Sequence, residues 1–303
     1  MPQDWYQKLK QGSEPNQRAQ YGAISARVID FIEMYTDGGR FTVRDLYDHC
    51  NAGKDENIRI AVRQCVFKLK KDQVIEPTGN QAGCYRKVDR AFKFVPLAGL
   101  EESPPVDVKL PLGADHHVEL MEKDLVVYAG VPNAGKSAFM LETVRLNMGK
   151  HKCFYFSSEM SARNCAKRLS KAEGLAVSEW TFNFCDDFQN YLDVIHPDAL
   201  NFIDYVEAED GEFFKIPSIL TGIQRKLKTG LAFVALQKNP GDSSAIGGHQ
   251  TRAKPSLFCT IENHTFTILK AKNWNGTNPN GFKCQFKIIG GINLIREGGW
   301  MAP

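Results

Sequence analysis

A chain of 303 residues with a formal net charge of +3 is long enough for two domains, and so small a charge does not by itself indicate a nucleic-acid-binding surface. The chain is 43% hydrophobic and 24% charged, which is ordinary for a soluble globular protein. No apolar run approaches the roughly 20 residues of a membrane span, and the first residues lack the apolar core of a secretion signal. We therefore expect a cytoplasmic protein with no membrane partner. The eight cysteines contain no C-x-x-C pair, which favours free thiols over a zinc site.

The N-terminal third of the chain predicts a flexible arm followed by a small helical domain. Residues 1–22 are polar without periodicity, so we expect a loose arm there. Apolar residues then recur at helical spacing, and Thr42 is the predicted N-cap of a second helix, with Asp45 at the capping-box position. A third helix is predicted over residues 56–71. Two short strands follow, over residues 73–76 and 83–88.

Three helices followed by a two-stranded hairpin resemble a winged helix-turn-helix, a common DNA-binding module. Arg59, Arg63 and Lys70 of the third helix fall within about 40° of one another at roughly 100° per residue. Together with Arg86 and Lys87 of the wing, they predict contacts to the phosphates of duplex DNA. The alternative is a winged helix that binds a protein and leaves its basic face solvated.

The remainder of the chain predicts a linker and a larger α/β domain. Residues 95–112 contain four prolines, a density that disfavours helix and central strand, so we expect a semi-extended linker. Beyond it, apolar strand-like runs alternate with helical segments, which predicts a parallel sheet flanked by helices. The last four strands, from residue 257 onward, are expected to extend one edge in antiparallel fashion. The predicted domains are a winged helix over 23–94 and the α/β domain over 113–303.

The run Leu125–Ala129 leads into a glycine-bounded loop and then into a helix-forming segment. The loop has the spacing GxxxxGK[ST] and consists of Gly130, Val131, Pro132, Asn133, Ala134, Gly135, Lys136 and Ser137. In this context the backbone N–H groups and the helix N-terminus face a phosphate chain. We expect Lys136 to reach the terminal phosphates of ATP and the Ser137 hydroxyl to bind Mg²⁺. The alternative is an ordinary glycine-rich turn.

Three further strands are followed by polar residues. The carboxyl ends of parallel strands meet at one edge of a sheet, which is where function collects. Asp204 fits the acidic residue that holds Mg²⁺ through its water shell. Glu159 is the candidate general base for the attacking water, and Gln237 the candidate sensor of the γ-phosphate.

Two segments carry a family resemblance. The segment Phe156–Ser161, Phe-Ser-Ser-Glu-Met-Ser, resembles the Ser-Leu-Glu-Met-Ser segment of DnaB-type replicative helicases, in which the glutamate is the catalytic base. Lys272-Asn-Trp-Asn-Gly276 resembles their Lys-x-Arg-Asn-Gly segment. With the phosphate loop, Asp204 and Gln237 in matching order, the resemblance covers about residues 110–298 and implies a RecA-like ATPase domain near the DnaB branch. The N-terminal region shows no such likeness.

The second segment departs from the helicases at one position. In those proteins a basic pair reaches the ATP of the neighbouring subunit, whereas here Trp274 stands at the arginine position. Lys270 and Lys272 resemble instead the lysine pair of RecA recombinases, which implies that they act on ATP across a subunit interface. The alternative is that both lysines lie on a solvated strand edge.

The resemblance also implies that loops after the third and fourth strands contact nucleic acid. The loop over residues 238–255 is long and glycine-rich, and we expect Lys238, Arg252 and Lys254 to contact single-stranded DNA. The loop over residues 207–212 is acidic, which argues against contact with phosphate.

These patterns together predict an ATP-hydrolysing, DNA-acting motor of the RecA/DnaB type, used in replication or recombination. Among possible oligomers, we expect a hexamer. Two other functions share the same fold and ATP site. One is an ATP-gated DNA-binding regulator or loader that unwinds nothing. The other is a filament-forming recombinase.

Overall fold

The protein is represented by a computed structural model. It describes residues 15–34, 39–78, 82–88, 95–100, 102–206 and 213–303. The chain divides into two compact units, residues 1–97 and residues 98–303. Within the described residues, no helix is long and apolar enough to cross a membrane.

In its described residues, the first unit combines three helices with a three-stranded antiparallel sheet. Its elements are α1 (Pro15–Met34), β1 (Arg40–Thr42), α2 (Val43–His49), α3 (Glu56–Lys71), β2 (Ile75–Pro77) and β3 (Cys84–Lys87). The strand order is β1-β3-β2, with Phe41 opposite Tyr85 and Glu76 opposite Arg86. Its core is built where the apolar stripes of the helices meet, and Val28, Leu46 and Val62 have no exposed surface there.

Two features of this unit differ from the sequence prediction. The loose arm expected over residues 1–22 is wrong for residues 15–22, since α1 begins at Pro15, while residues 1–14 lie outside the described part. A proline suits the first turn of a helix because that turn's N–H groups have no partner within the helix. Strand β1 was not predicted, because three residues are too few to show a period.

The capping box is confirmed: the Asp45 N–H donates to Thr42 Oγ1 (3.3 Å), and the Thr42 N–H donates to Asp45 Oδ2 (2.7 Å).

The second unit is an α/β fold with a nine-stranded sheet. Its strands are β4 (Leu125–Gly130), β5 (Cys153–Ser157), β6 (Asn183–Cys185), β7 (Leu200–Asp204), β8 (Leu231–Gln237), β9 (Leu257–Glu262), β10 (Thr265–Ala271), β11 (Lys283–Ile289) and β12 (Asn293–Met301). The α-helices of its described part are α4 (Lys136–Asn147), α5 (Ala162–Leu169), α6 (Ile216–Lys226) and the short α7 (Gln250–Ala253), and short 3-10 helices span Pro111–His116, Val177–Glu179 and Phe213–Lys215. The strand order is β12-β11-β10-β9-β4-β8-β7-β5-β6.

The sheet is parallel from β6 to β9 and antiparallel from β9 to β12. The predicted fold class is confirmed, with one change: β9, expected to pair only in antiparallel fashion, pairs in parallel with β4 on one side and antiparallel with β10 on the other. The connection from β8 to β9 crosses over β4, so it returns the chain in the parallel direction. Strand β6, which extends the opposite edge, was not predicted.

Strand β4 lies at the centre of the sheet and is buried along its whole length. Val126 and Tyr128 face the core that contains Phe139 of α4, whereas Leu125 and Val127 face the core that contains Leu220 of α6. A strand covered by helices on both faces reads as a continuous apolar run, which is why the sequence predicted it.

The linker expected over residues 95–112 is wrong in its second half. Val108 and Leu110 are buried in the core of the second unit, and the Val106 N–H donates to the Leu120 carbonyl (2.7 Å). The side chain of Asn147 in α4 exchanges two hydrogen bonds with the backbone of Lys109 (2.7 and 2.8 Å). Alternating apolar residues at 106, 108 and 110 thus pack against the fold despite the neighbouring prolines.

Candidate active site

The phosphate loop has the conformation that its glycines predict. Gly130 ends β4, and α4 begins at Lys136. Gly135 takes the left-handed conformation (φ 101°), and a Cβ there would lie 2.2 Å from Cδ1 of Ile288 on β11. A Cβ on Gly130 would lie 3.0 Å from the Ile261 carbonyl oxygen. A side chain at Gly130 would crowd the backbone of β9, and one at Gly135 would have to displace the end of Ile288 and would also be strained by the positive φ.

The ammonium of Lys136 lies inside the loop. Its Nζ donates hydrogen bonds to the carbonyls of Gly130 (3.3 Å) and Val131 (3.2 Å). Burial lowers the pKa of Lys136, while the negative charges of Glu159 and Asp204 act in the opposite direction. Three charged residues predicted from separate segments therefore lie within electrostatic reach of one another.

Asp204 ends β7 with only 1% of its surface exposed. The Tyr155 hydroxyl donates to Asp204 Oδ2 (2.7 Å). The other carboxylate oxygen, Oδ1, is buried and has no hydrogen-bond partner among the described residues. Burial and the adjacent carboxylate raise the pKa of Tyr155, so this tyrosine stays a hydrogen-bond donor.

Glu159 lies two residues beyond β5 and is exposed. The turn that carries it is fastened to the end of β7, because the Ser158 N–H donates to the Asp204 carbonyl (3.1 Å) and the Ser158 hydroxyl to the Tyr205 carbonyl (3.0 Å). The Ser157 hydroxyl accepts from the Met160 N–H (2.9 Å) and closes the turn. The position of Glu159 relative to Asp204 is thus set by the backbone of two neighbouring strands.

Gln237 ends β8 directly opposite Gly130 of the phosphate loop. Its carbonyl accepts from the Ile246 N–H (2.8 Å), and the next N–H, that of Lys238, donates to the Gly130 carbonyl (3.1 Å). The backbone at Gln237 and Lys238 therefore joins the phosphate loop to the long loop that follows β8.

The three basic residues predicted for that loop differ in exposure. Lys238 is only 1% exposed, and its ammonium pairs with Glu262 Oε2 (2.6 Å), whose other oxygen accepts from the Gly241 N–H (2.9 Å). This contact lowers the pKa of Glu262 and turns Lys238 away from solvent. Arg252 and Lys254 are partly exposed.

Lys270 and Lys272 both reach back to their own chain at the end of α7. Lys270 Nζ donates to the carbonyls of Arg252 and Ala253 (2.7 Å each), and Lys272 Nζ donates to the Lys254 carbonyl (3.2 Å). Burial lowers the pKa of Lys270, and the nearby charges of Lys272 and Arg252 lower it further. Trp274 is 37% exposed.

The basic residues predicted to bind duplex DNA lie in the first unit. Arg63 pairs with Glu56 and Arg86 pairs with Glu76. The guanidinium of Arg59 lies 5.3 Å from the ring centre of Tyr47. Lys70 is exposed and Lys87 partly exposed.

Three residues around the candidate nucleotide site were not predicted. The Tyr155 hydroxyl donates to Asp204, the ring centre of Tyr205 lies 5.9 Å from Lys136 Nζ, and the side chain of Ile288 lies next to Gly135. Tyr205 follows Asp204 directly, and this adjacency was the one available signal. Tyr155 and Ile288 resemble ordinary strand residues until their partners are known.

The second unit has the α/β fold that was predicted for a RecA-like domain, with a phosphate loop at the end of its central strand. Strand β8 stands between the phosphate-loop strand and the strand that carries Asp204, and the phosphate loop, Glu159, Asp204 and Gln237 share one edge of the sheet. The unpaired buried oxygen of Asp204 and the hydroxyl of Ser137 are oxygen donors of the kind that Mg²⁺ takes, so the residues present fit that ion.

Comparison with known proteins gives similarity of structure only. No protein-family model and no curated protein sequence matches the chain. Among solved structures, the chain resembles the KaiC-like protein PH0186 from the hyperthermophilic archaeon Pyrococcus horikoshii OT3, with 15% identity and a TM-score of 0.49 over 64% of this chain and 99% of that one. It also resembles a second protein of known structure, an ATPase domain, with 15% identity and a TM-score of 0.45 over 59% of this chain and 86% of that domain. At these values neither similarity carries an argument about activity.

Proposed function

We propose that the chain is an ATP-hydrolysing, DNA-acting motor of the RecA/DnaB type. The observation that carries this proposal is the placement of Lys136, Glu159 and Asp204 at the carboxyl ends of the central parallel strands, where Oδ1 of Asp204 is buried without a partner among the described residues. A glycine-rich turn with only a structural role has no reason to lie beside a partly buried lysine and two carboxylates.

In the proposed reaction, water attacks the γ-phosphate of ATP to give ADP and phosphate. The loop N–H groups and Lys136 bind the phosphates, and Lys136 exchanges its contacts to the loop carbonyls for the stronger charge-assisted ones. Ser137 and Asp204 would hold Mg²⁺, which neutralises phosphate charge when bound. Glu159, exposed and held beside Asp204, orients the water and accepts its proton.

Two surfaces are proposed to bind DNA. The order of helices and strands in the first unit supports the proposed winged helix-turn-helix. We assign duplex binding to α3, through Arg59, Arg63 and Lys70, and to the wing, through Arg86 and Lys87. In the second unit, the loop after β8 binds single strands through Arg252 and Lys254. Lys238 acts there as an internal tie to Glu262. Assembly as a hexamer would align these loops around one strand.

The lysine contacts favour a second candidate function. Lys270 and Lys272 cap carbonyls of their own chain, and Trp274 cannot supply positive charge to a neighbouring ATP. A subunit without a strong trans-acting cation hydrolyses ATP slowly, which suits an ATP-gated DNA-binding regulator or loader better than a motor.

Steady-state hydrolysis by the full chain, with and without single-stranded DNA, tests the proposal. We expect DNA-stimulated turnover that Lys136→Ala abolishes. As a matched control, Lys150→Ala removes an exposed lysine of the same unit, paired with Asp107, and should change nothing. Undiminished ATP affinity in Lys136→Ala would refute the nucleotide site.

Strand displacement on a forked duplex then separates the two functions. The motor displaces a strand with each round of ATP use, whereas the regulator binds DNA in an ATP-dependent manner and displaces none.

A further inference from the structure

Helix α3 carries two large apolar side chains on its solvent face. Phe67 is 69% exposed and Ile60 is 41% exposed, whereas the opposite face is buried through Val62, Cys65 and Leu69. At 3.6 residues per turn, Ile60 and Phe67 lie within about 20° of each other and roughly opposite the centre of the buried stripe. They form an apolar ridge of two residues along the outermost line of the helix.

Positive and polar side chains flank this ridge on both sides. Arg63 and Lys70 lie on one side of it, and Gln64 and Lys71 lie on the other, all four of them exposed. The one acidic residue of this helix, Glu56, is already paired with Arg63. An apolar protein interface would be depleted of charge around its centre, whereas here cations border the ridge.

A DNA major groove matches this arrangement. It is about 12 Å wide between two walls of phosphate, and it admits one α-helix. On its floor, thymine presents the 5-methyl group as an apolar target, and adenine offers a donor and an acceptor that suit a glutamine. Ile60 and Phe67 are separated by about 10 Å along the helix axis, close to three base-pair steps of 3.4 Å.

We propose that the Ile60–Phe67 ridge reads thymine methyl groups in the major groove, with Gln64 beside it on adenine. This inference rests on the proposed duplex binding by the first unit and adds sequence preference to it. The cations Arg63 and Lys70 position the helix on the phosphates, and the ridge distinguishes A·T-containing sites from others.

The test uses the full chain and duplexes selected from a pool with a randomised central segment. Affinity is then compared between each selected duplex and the same duplex with deoxyuridine in place of thymine, which removes only the methyl groups. We expect binding to weaken about fourfold for each methyl group that the ridge touches. Phe67→Ala should bring the thymine-to-uracil affinity ratio close to one, and Phe67→Leu should retain part of it.

Lys70→Ala is the matched control on the same helix. It should weaken binding to both duplexes equally and reduce the slope of log K against log salt by about one. Since Phe67 and Lys70 are exposed, both variants should keep the circular dichroism spectrum of the parent protein.

Each other outcome overturns the inference in a distinguishable way. Tight, salt-dependent duplex binding with a thymine-to-uracil ratio of one removes the methyl readout and leaves duplex binding in place. Absence of any duplex binding removes both. A change in the sedimenting mass of the DNA-free protein on Phe67→Ala assigns the ridge to an interface between proteins.

Discussion

Replacing Asp204 with asparagine separates the stability of the nucleotide site from its ligand binding. The buried, unpaired Oδ1 of Asp204 costs the folded protein about 1–3 kcal/mol. Asparagine keeps an oxygen for the Tyr155 hydroxyl and replaces the unpaired charged oxygen with an unpaired neutral amide NH2, which costs less to bury. It also removes an attraction to Lys136, but that ammonium donates its hydrogen bonds to loop carbonyls, so we take this effect as the smaller one. We therefore expect the free energy of unfolding without nucleotide to rise by about 1 kcal/mol.

The same change should remove the stabilisation by ATP and Mg²⁺. A ligand at 100 times its Kd stabilises the folded state by about 2.7 kcal/mol. The parent protein should show that increment, and Asp204→Asn should show little of it. Urea unfolding followed by tryptophan fluorescence measures both quantities. Three of the four tryptophans, Trp180, Trp274 and Trp300, belong to the second unit, so the signal follows that unit.

Asp124→Asn is the matched control, because Asp124 is a buried carboxylate of the same unit with both oxygens satisfied. It accepts from the Met121 N–H (2.8 Å) and from the Ser256 hydroxyl, at the opposite end of β4. An amide there leaves one donor unpaired, so we expect stability to fall by about 1 kcal/mol and the increment from ATP and Mg²⁺ to stay unchanged. A loss of stability in nucleotide-free Asp204→Asn, or a full ligand increment in it, would refute the reasoning.

Three further predictions concern the same site. Glu159→Gln should lower the hydrolysis rate at least ~100-fold and leave ATP affinity, measured by fluorescence titration, unchanged, and normal turnover in this variant would place the base elsewhere. Gly135→Ala should lower the free energy of unfolding in urea by about 1–3 kcal/mol and abolish nucleotide binding, because alanine disfavours φ 101° and its Cβ would contact Ile288. Adding Ile288→Val removes the contact but not the backbone strain, so it should restore only part of the stability. In the motor, Lys272 must leave the Lys254 carbonyl to reach a neighbour's ATP, so Lys272→Ala should bind ATP and DNA but lose DNA-stimulated hydrolysis, and mixing it with Glu159→Gln should regain some activity. In the regulator, Lys272→Ala should leave turnover unchanged, and equal turnover per chain at all protein concentrations would contradict the shared site.

The geometry of the candidate nucleotide site was predictable from the sequence because its central part is local. The phosphate loop is eight consecutive residues whose spacing dictates strand, turn and helix, and β4 and α4 appear around it as expected. Glu159, Asp204 and Gln237 were also placed correctly at one sheet edge, because parallel strands that alternate with helices bring their carboxyl ends together. The capping box at Thr42 was predictable for the same reason, since its two partners are three residues apart.

Contacts between distant segments were decided only by the tertiary structure. Lys238 reads as one more cation of a basic loop, yet it is buried because Glu262 lies opposite it at the end of β9. A family resemblance predicted that Lys270 and Lys272 contact the ATP of a neighbouring subunit. In the structure their partners are backbone carbonyls 17 or 18 residues earlier in the same chain. Tyr155 gains its role from Asp204, 49 residues later. A sequence pattern reports the propensity of each segment, but the partner of a long polar side chain depends on strand order and register, which the folded sheet alone determines.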